Sequence, residues 1–232
     1  MVIKGIEKIT LIDYPGHIAS TIFLGGCNFR CDYCYNKDLV VRPHALPNIS
    51  EEVILSTLSS RRHFIEGVVI TGGEPMVQAA HLMEFIPRIR SLGLKIKLDT
   101  NGYFPDKIRQ LVDAGLIDYL AMDIKAPLTR YAEITGVEII TQQIERSVQL
   151  LMSCGVAYEF RTTVWKNGFS HDDFLQMVTL IRGAEKYFLQ NMYPFFTIQP
   201  KKEYRAMKKA DIEPVVQLAK QYVQSVSLRG EW

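Results

Sequence analysis

The chain has 232 residues, of which 47% are apolar and 22% are charged, and its formal net charge is +2. This length is sufficient for one sizeable core, and we expect residues 1–232 to form a single domain. The near-neutral charge gives no electrostatic basis for binding nucleic acid or an anionic membrane, and no apolar run approaches the roughly 20 residues of a membrane span.

Seven short apolar runs rich in β-branched residues predict β-strands, and helical patterns lie between them. The runs are Ser20–Leu24, Gly67–Thr71, Lys95–Asp99, Asp118–Asp123, Ala157–Val164, Lys186–Gln190 and Ser225–Leu228. Such alternation predicts right-handed crossovers and a parallel sheet.

Three of the intervening helices have clear sequence signals. Asn48 with Glu51, and Ser170 with Asp173, predict the N-terminal caps of two of them. A third follows Asp211, with the proline three residues later placed in its first turn. Further helices are predicted at Val77–Ser91, Pro105–Ala114 and Thr141–Ser153.

These elements predict an α/β fold that resembles an incomplete barrel. A closed eightfold (β/α) barrel takes about 250 residues, and only six or seven units fit here. We therefore expect a partial (β/α)6-type TIM barrel, open on one side, with a doubly wound open sheet as the alternative. In either fold the chemistry belongs at the C-terminal ends of the strands. The unusual segments do fall there, at Cys27–Cys34, Gly72–Glu74, Asp99–Gly102 and Asp123–Lys125.

Three of the four cysteines follow the first predicted strand with the spacing C-x3-C-x2-C. Thiolates of Cys27, Cys31 and Cys34 on one loop could hold three corners of a [4Fe–4S] cluster, which normally takes four cysteines. The remaining Cys154 is predicted at a helix end, on the opposite side of a βα unit, so one iron would stay open to a substrate or cofactor. A structural zinc site and a dithiol redox pair at Cys31 and Cys34 are the alternatives, although the first lacks a fourth ligand and the second leaves Cys27 unexplained.

Two further segments carry polar groups suited to a bound molecule. The segment Gly72-Gly73-Glu74-Pro75 ends a strand; alone it is a weak turn signal, and an ordinary βα loop is the alternative. Asp123 and Lys125 lie two residues apart and therefore face the same side of an extended segment, where a buried pair is costly unless something engages it.

These residues resemble the signature of radical S-adenosylmethionine (SAM) enzymes, C-x3-C-x-aromatic-C, with Tyr33 as the aromatic residue. The segments Leu11–Gly16 and Phe23–Cys31 resemble the activating proteins of anaerobic ribonucleoside-triphosphate reductases. The related pyruvate formate-lyase activases share the cysteine loop and the order of the motifs. Those activases commonly have His directly after the third cysteine, where this chain has Tyr35.

The resemblance implies a [4Fe–4S] cluster bound by the three cysteines and SAM bound beside it. It places the loop Gly72–Glu74 at the methionine amino group of SAM, where the glycines allow close backbone approach and the carboxylate suits an ammonium. It places Lys125 at the carboxylate or ribose of SAM. It also implies a monovalent cation bound by Asp99, Thr100 and Asp123. The full set of predicted cofactor-binding residues is Tyr33, Tyr35, Gly72, Gly73, Glu74, Asp99, Asp123, Ile124, Lys125, Arg161 and Gln190. For Arg161, a structural ion pair is an equally good interpretation.

The resemblance also implies an activity. The cluster would pass one electron to SAM, and the resulting 5′-deoxyadenosyl radical would abstract hydrogen from a Gly of a separate glycyl radical enzyme, with anaerobic ribonucleotide reductase as the expected partner. A one-electron donor such as flavodoxin or ferredoxin would reduce the cluster. The alternatives are a radical SAM enzyme acting on a small molecule and a non-catalytic iron–sulfur electron carrier. The N-terminal segment has no apolar stretch followed by a cleavage site, so we expect a cytoplasmic protein.

Overall fold

The computed structural model describes residues 1–192, 198 and 204–232. Within them, one eight-stranded sheet has its strands in sequential order. The strands are β1 (Ile3–Thr10), β2 (Ala19–Leu24), β3 (Gly67–Gly72), β4 (Lys95–Thr100), β5 (Tyr119–Asp123), β6 (Ala157–Val164), β7 (Lys186–Asn191) and β8 (Ser225–Arg229). The helices are α1 (Lys37–Val41), α2 (Glu51–Arg61), α3 (Ala79–Arg90), α4 (Pro105–Asp113), α5 (Tyr131–Thr135), α6 (Gln142–Ser153), α7 (His171–Leu180) and α8 (Lys209–Ala219).

The strand order confirms the partial barrel. Strands β2 to β8 are parallel, and each consecutive pair is joined by a connection that contains a helix. In the described residues β8 does not pair with β1, so the barrel is open between its first and last strands. A doubly wound sheet needs a reversal of strand order, which this sheet lacks.

The sequence did not predict β1, which pairs antiparallel with β2. Polar residues and Gly5 interrupt its apolar pattern, and only its two ends, Ile3 and Thr10, are buried. Because β1 runs along the outer side of β2, it covers what would otherwise be an exposed strand edge.

Two helix starts differ from the predicted ones, and one agrees. Helix α2 is capped by Ser50, whose hydroxyl accepts a hydrogen bond from the Val53 N–H, and not by Asn48. Helix α8 begins at Lys209, so Pro214 lies inside the helix and not in its first turn. The predicted cap at Ser170 is present as a reciprocal capping box with Asp173.

The two faces of the sheet differ in chemistry. One face packs its apolar side chains, such as Leu98, Leu120 and Phe160, into the main core. The alternate residues of the same strands face the barrel interior and include charged side chains on β4, β5, β6 and β8. Barrel interiors are usually filled by branched apolar residues, so this charged interior indicates a functional site. No helix in the described part of the chain is long and apolar enough to cross a membrane.

Candidate active site

The cysteine loop begins directly after β2, at the C-terminal edge of the sheet. Cys31 is 7% exposed, Cys27 and Cys34 are half-buried, and all three are free thiols. The backbone N–H of Arg30 donates to the Thr135 carbonyl at 2.7 Å, and the N–H of Cys34 donates to the Cys31 carbonyl at 3.0 Å. These hydrogen bonds fix the shape of the loop.

The side chain of Phe29 anchors the loop in the core. It is 1% exposed and packs edge-on against Tyr103 and Tyr131, with ring centroids 5.7 Å and 6.4 Å away. Burying an aromatic ring of this size fixes the residues on either side of it. The loop therefore holds Cys27 and Cys31, which flank Phe29, close to the barrel.

Two asparagines surround the sulfur of Cys27. Asn101 lies with its Nδ2 4.0 Å from Cys27 Sγ and donates to Asn28 Oδ1 at 2.8 Å. The Nδ2 atom of Asn28 is buried and has no hydrogen-bond partner among the residues that the structure describes. An unpaired buried donor is costly, so this position fits an acceptor-rich group bound at the loop, such as the sulfurs of an iron–sulfur cluster.

Burial disfavours the thiolate form of all three cysteines. Burial raises the pKa of Cys27 to about 12 and that of Cys31 to about 11, and it also raises the pKa of Cys34. Among the described residues, no group of three or more His, Cys, Asp or Glu side chains is arranged around a single ion. A cluster does not require that convergence because each cysteine binds a different iron. The donor set of three free thiols therefore fits a cluster better than a structural zinc ion.

The loop that follows β3 packs directly against the cysteine loop. The N–H of Gly73 donates to the Leu24 carbonyl, and the N–H of Glu74 donates to the Gly26 carbonyl, both at 2.8 Å. A Cβ atom on residue 73 would lie 2.0 Å from the Gly26 carbonyl oxygen. Gly72 has φ +124°, and a Cβ there would lie 2.3 Å from the Leu24 backbone. Both glycines are therefore required by contact between two segments of this chain.

Glu74 is buried and ties the ends of β3 and β4 together. Its carboxylate is 1% exposed and accepts hydrogen bonds from the Met76 N–H, the Thr100 hydroxyl and the Asn101 N–H at 3.0, 2.7 and 2.7 Å. Burial raises the pKa of Glu74 to about 7, against these hydrogen bonds, which favour the charged form. Glu74 thus positions Asn101, whose side chain in turn lies beside Cys27.

A chain of alternating charges crosses the barrel interior. The Arg161 guanidinium bridges Asp99 and Asp123 at 3.0 Å and 2.8 Å. Lys97 pairs with the other oxygen of Asp99, and Lys125 pairs with the other oxygen of Asp123 at 2.9 Å. The neighbouring cations hold the pKa of both aspartates below the usual range despite burial. The structure thus brings together predicted residues from β4, β6 and the end of β5.

The other predicted residues lie around this network at different depths. Tyr33 is 6% exposed, and its ring lies 5.9 Å from Lys125 Nζ. Within the described part of the chain its hydroxyl has no hydrogen-bond partner. Ile124 is fully buried and its N–H donates to the Arg161 carbonyl at 2.8 Å. Tyr35 is 65% exposed, and Gln190 is half-buried near the end of β7.

Sequence reasoning missed several residues that shape the site. They are Asn28 and Asn101 at the cysteine loop, Lys97 in the charge network, and the buried pair Glu159–Arg229. For Lys97 and Glu159 a signal was present, since each lies two residues before a predicted site residue on the same strand and so faces the same side. Cys154 is half-buried at the C-terminal end of α6, at the helix end where the sequence placed it.

Comparison with known proteins gives one family match and several relatives. Residues 21–181 match the radical SAM superfamily. A protein from Methanocaldococcus jannaschii with the provisional name glycyl-radical enzyme activating enzyme is 28% identical over 232 residues, which cover 98% of this chain and 95% of that protein. Pyruvate formate-lyase 1-activating enzyme of Escherichia coli K12 is 30% identical over 131 residues. That match covers 52% of this chain and 52% of the relative, so the chain spans about half of that enzyme's length.

The fold has solved counterparts. The crystal structure of Streptococcus suis SuiB bound to S-adenosylmethionine superposes with a TM-score of 0.64, covering 88% of this chain and 48% of that chain. The two sequences are 14% identical, so this likeness concerns the fold alone.

Proposed function

This chain belongs to the radical SAM superfamily, and from that premise we propose that it activates a glycyl radical enzyme. The partner that we propose is an anaerobic ribonucleotide reductase. One observation carries the proposal: three free cysteines on one loop pack directly against the glycine loop after β3, at the C-terminal edge of a partial barrel. The match along almost the whole length of a relative named for glycyl radical enzyme activation supports it.

The family implies a [4Fe–4S] cluster and SAM. In this chain Cys27, Cys31 and Cys34 would hold the cluster, and no fourth cysteine is near enough in sequence to close it. When reduced, such a cluster supplies the electron that cleaves SAM to methionine and a 5′-deoxyadenosyl radical. An electron donor of the flavodoxin or ferredoxin type belongs to the same proposal.

The chain's own residues would bind and orient the cofactor. The backbone of Gly72 and Gly73 holds the loop after β3 against the cysteine loop, so this loop lies beside the thiols at the C-terminal edge of the sheet. Lys125 is a cation at the barrel mouth, 17% exposed, and suits a carboxylate of the cofactor. Asp123 holds this ammonium in place, so it acts as a positioning residue for Lys125.

The shape of the molecule favours a protein substrate. The sheet extends from Ile3 to Arg229, which supports the proposal that residues 1–232 are one domain. A cavity of about 200 Å³ lies beside the cysteine loop, lined in part by Tyr33, Arg130 and Trp165. A loop of a large partner can enter such an opening, whereas an isolated small molecule would be poorly enclosed there.

The experiment is electron paramagnetic resonance on the reconstituted protein, mixed anaerobically with SAM, a reductant and a candidate ribonucleotide reductase. We expect a glycyl radical signal that disappears when the target Gly of the partner is replaced by Ala. The Cys31→Ala variant serves as the matched control and should give no signal. SAM cleavage without a radical on the partner would favour a small-molecule substrate, and absence of SAM cleavage would favour an electron carrier.

A further inference from the structure

We infer that this protein needs no monovalent cation between Asp99 and Asp123, because its own side chains Arg161, Lys97 and Lys125 occupy that position. The resemblance implied a cation bound by Asp99, Thr100 and Asp123, and the residues present do not fit it. This inference rests on the proposed binding of SAM, but it concerns a separate property of the site.

Every oxygen that a cation would use at the two aspartates is already paired. Asp99 contacts Lys97 through one oxygen and Arg161 through the other. Asp123 contacts Arg161 through one oxygen and Lys125 through the other, at 2.8 Å and 2.9 Å. Hard cations in proteins are bound by oxygen atoms, and here all four carboxylate oxygens are engaged by nitrogen donors.

The third implied ligand is also engaged. Thr100 is 3% exposed, and its hydroxyl donates to Glu74 at 2.7 Å while accepting from the Gly102 N–H at 3.1 Å. Turning this hydroxyl toward a cation would leave the buried Glu74 carboxylate with one hydrogen bond fewer, which is unfavourable.

The charge balance points the same way. Three cationic side chains face the two aspartates, and the nearby carboxylate Glu159 is paired with Arg229, so the group carries a net positive charge before any ion arrives. Arg161 is 11% exposed and Lys97 is 1% exposed, so their charges are poorly screened by water. An added potassium or sodium ion would be repelled, and displacing Arg161 would break two buried ion pairs.

The strand register builds this arrangement into the fold. Arg161 on β6 lies directly opposite Asp123 on β5, and Asp99 on β4 lies opposite Ala121 on β5. Because Ala121 is small, the arginine can reach across β5 to Asp99. Lys97 lies two residues before Asp99 and therefore faces the same side.

The test measures SAM binding to the reconstituted protein by anaerobic calorimetry in potassium, sodium and choline chloride at equal ionic strength. We expect affinities that agree within about twofold, since screening is the same in all three salts. A saturable increase of about fivefold or more in potassium or sodium over choline would overturn the inference.

The thermal midpoint of the same protein without SAM gives a second readout that does not depend on SAM binding. An ion that binds the native state raises the midpoint, so a midpoint that is higher in potassium or sodium than in choline would also overturn the inference. Failure to bind SAM in every salt would instead count against the proposed function.

Substitution at Arg161 tests whether its guanidinium takes the place of the monovalent cation. Arg161→Met removes the charge and keeps the apolar stem, so potassium or sodium should now raise the thermal midpoint of this variant above its value in choline. Arg161→Lys keeps one charge and should remain indifferent to the salt. If Arg161→Met folds and its thermal midpoint is the same in potassium, sodium and choline, Arg161 does not replace the cation. If it does not fold, the wild-type comparison decides.

Discussion

The carbonyl oxygen of Gly26 occupies the space that a side chain on Gly73 would need, 2.0 Å from the position of its Cβ atom. Gly26 precedes the first cysteine and Gly73 lies in the loop after β3, so the two loops fit together only with glycine at residue 73. The resemblance implied glycine at this position because the cofactor approaches the backbone closely. The structure adds a contact within the chain that operates before any cofactor binds.

Substituting Gly73 should therefore disturb the cysteine loop as well as SAM binding. We expect Gly73→Ala to lower the free energy of unfolding by about 1–3 kcal/mol, as overpacking does, and to reduce the iron retained after reconstitution. Gly5→Ala is the control, because a Cβ there would meet Phe23 only at 3.6 Å. Full iron content in Gly73→Ala, measured by iron assay and absorbance, would show that the Gly26 carbonyl can move aside.

The cysteines should separate into two classes. Cys31→Ala should lose the cluster after anaerobic reconstitution, because only two thiol ligands would remain on the loop. Cys154→Ala should keep it, since Cys154 caps the far end of α6 and its thiol lies 3.6 Å from the Leu151 carbonyl. Iron and sulfide analysis of both variants decides the matter. Equal iron loss would make Cys154 a ligand and remove the open iron position.

Much of the fold could be predicted because its signals are local. The seven parallel strands were found from short β-branched runs, and the C-terminal position of the cysteine loop follows from the parallel topology. Strand β1 was missed because its pairing with β2, not its own pattern, makes it a strand.

The charge network could not be predicted because it joins residues that are distant in sequence. Asp123 and Lys125 could be paired from their spacing, but the bridge from Arg161 to Asp99 depends on the register of three strands. The same holds for Glu74. The resemblance implied a contact between its carboxylate and an ammonium, and the structure shows that this carboxylate accepts a hydrogen bond from the Asn101 N–H. Sequence patterns identified the residues of the site, while their mutual contacts are tertiary.

Removing the cation at the barrel mouth should weaken SAM binding and leave the cluster in place. Lys125→Ala keeps all three thiols, and Asp123 retains Arg161 as a partner, so iron content should equal that of the wild type. We expect SAM affinity to fall about tenfold or more, the usual cost of losing a buried charged contact. Lys95→Ala is the control, because Lys95 is exposed at the opposite end of β4. Calorimetry giving equal affinities for both variants would remove Lys125 from the cofactor site.

Glu74 should make stability depend on pH. Burial raises its pKa in the folded protein to about 7 from the model-compound value of 4.5. The native state therefore binds this proton more tightly than the unfolded state, and the free energy of unfolding should decrease as pH rises from about 4.5 to about 7, by at most about 1.4 kcal/mol per pH unit.

The variant Glu74→Gln isolates this contribution because it cannot titrate. Its unfolding free energy relative to the wild type should increase between about pH 5 and about pH 8, as the wild type loses the contribution of the protonated carboxyl. The exposed residue Glu84 provides the control substitution Glu84→Gln, for which we expect no such change. Denaturant unfolding at both pH values measures the difference. A constant difference for Glu74→Gln would mean that the three hydrogen bonds keep Glu74 ionised throughout.

The pair Glu159–Arg229 connects β6 to β8 across the barrel interior, and its loss should be costly. Glu159 is fully buried and accepts two hydrogen bonds from the guanidinium, at 2.6 Å and 2.8 Å, and one from the Tyr119 hydroxyl at 2.9 Å. Arg229→Met leaves a buried carboxylate without its ion-pair partner, so we expect a loss of about 3–5 kcal/mol in the free energy of unfolding. The double variant Glu159→Gln with Arg229→Met removes the unpaired charge and should recover part of that loss.

The control is Arg88→Met, which breaks an exposed pair with Glu51 and should cost about 0–1 kcal/mol. Denaturant unfolding of the wild type and the three variants measures these free energies. A double variant no more stable than Arg229→Met would show that lost packing, and not the unpaired charge of Glu159, causes the destabilisation.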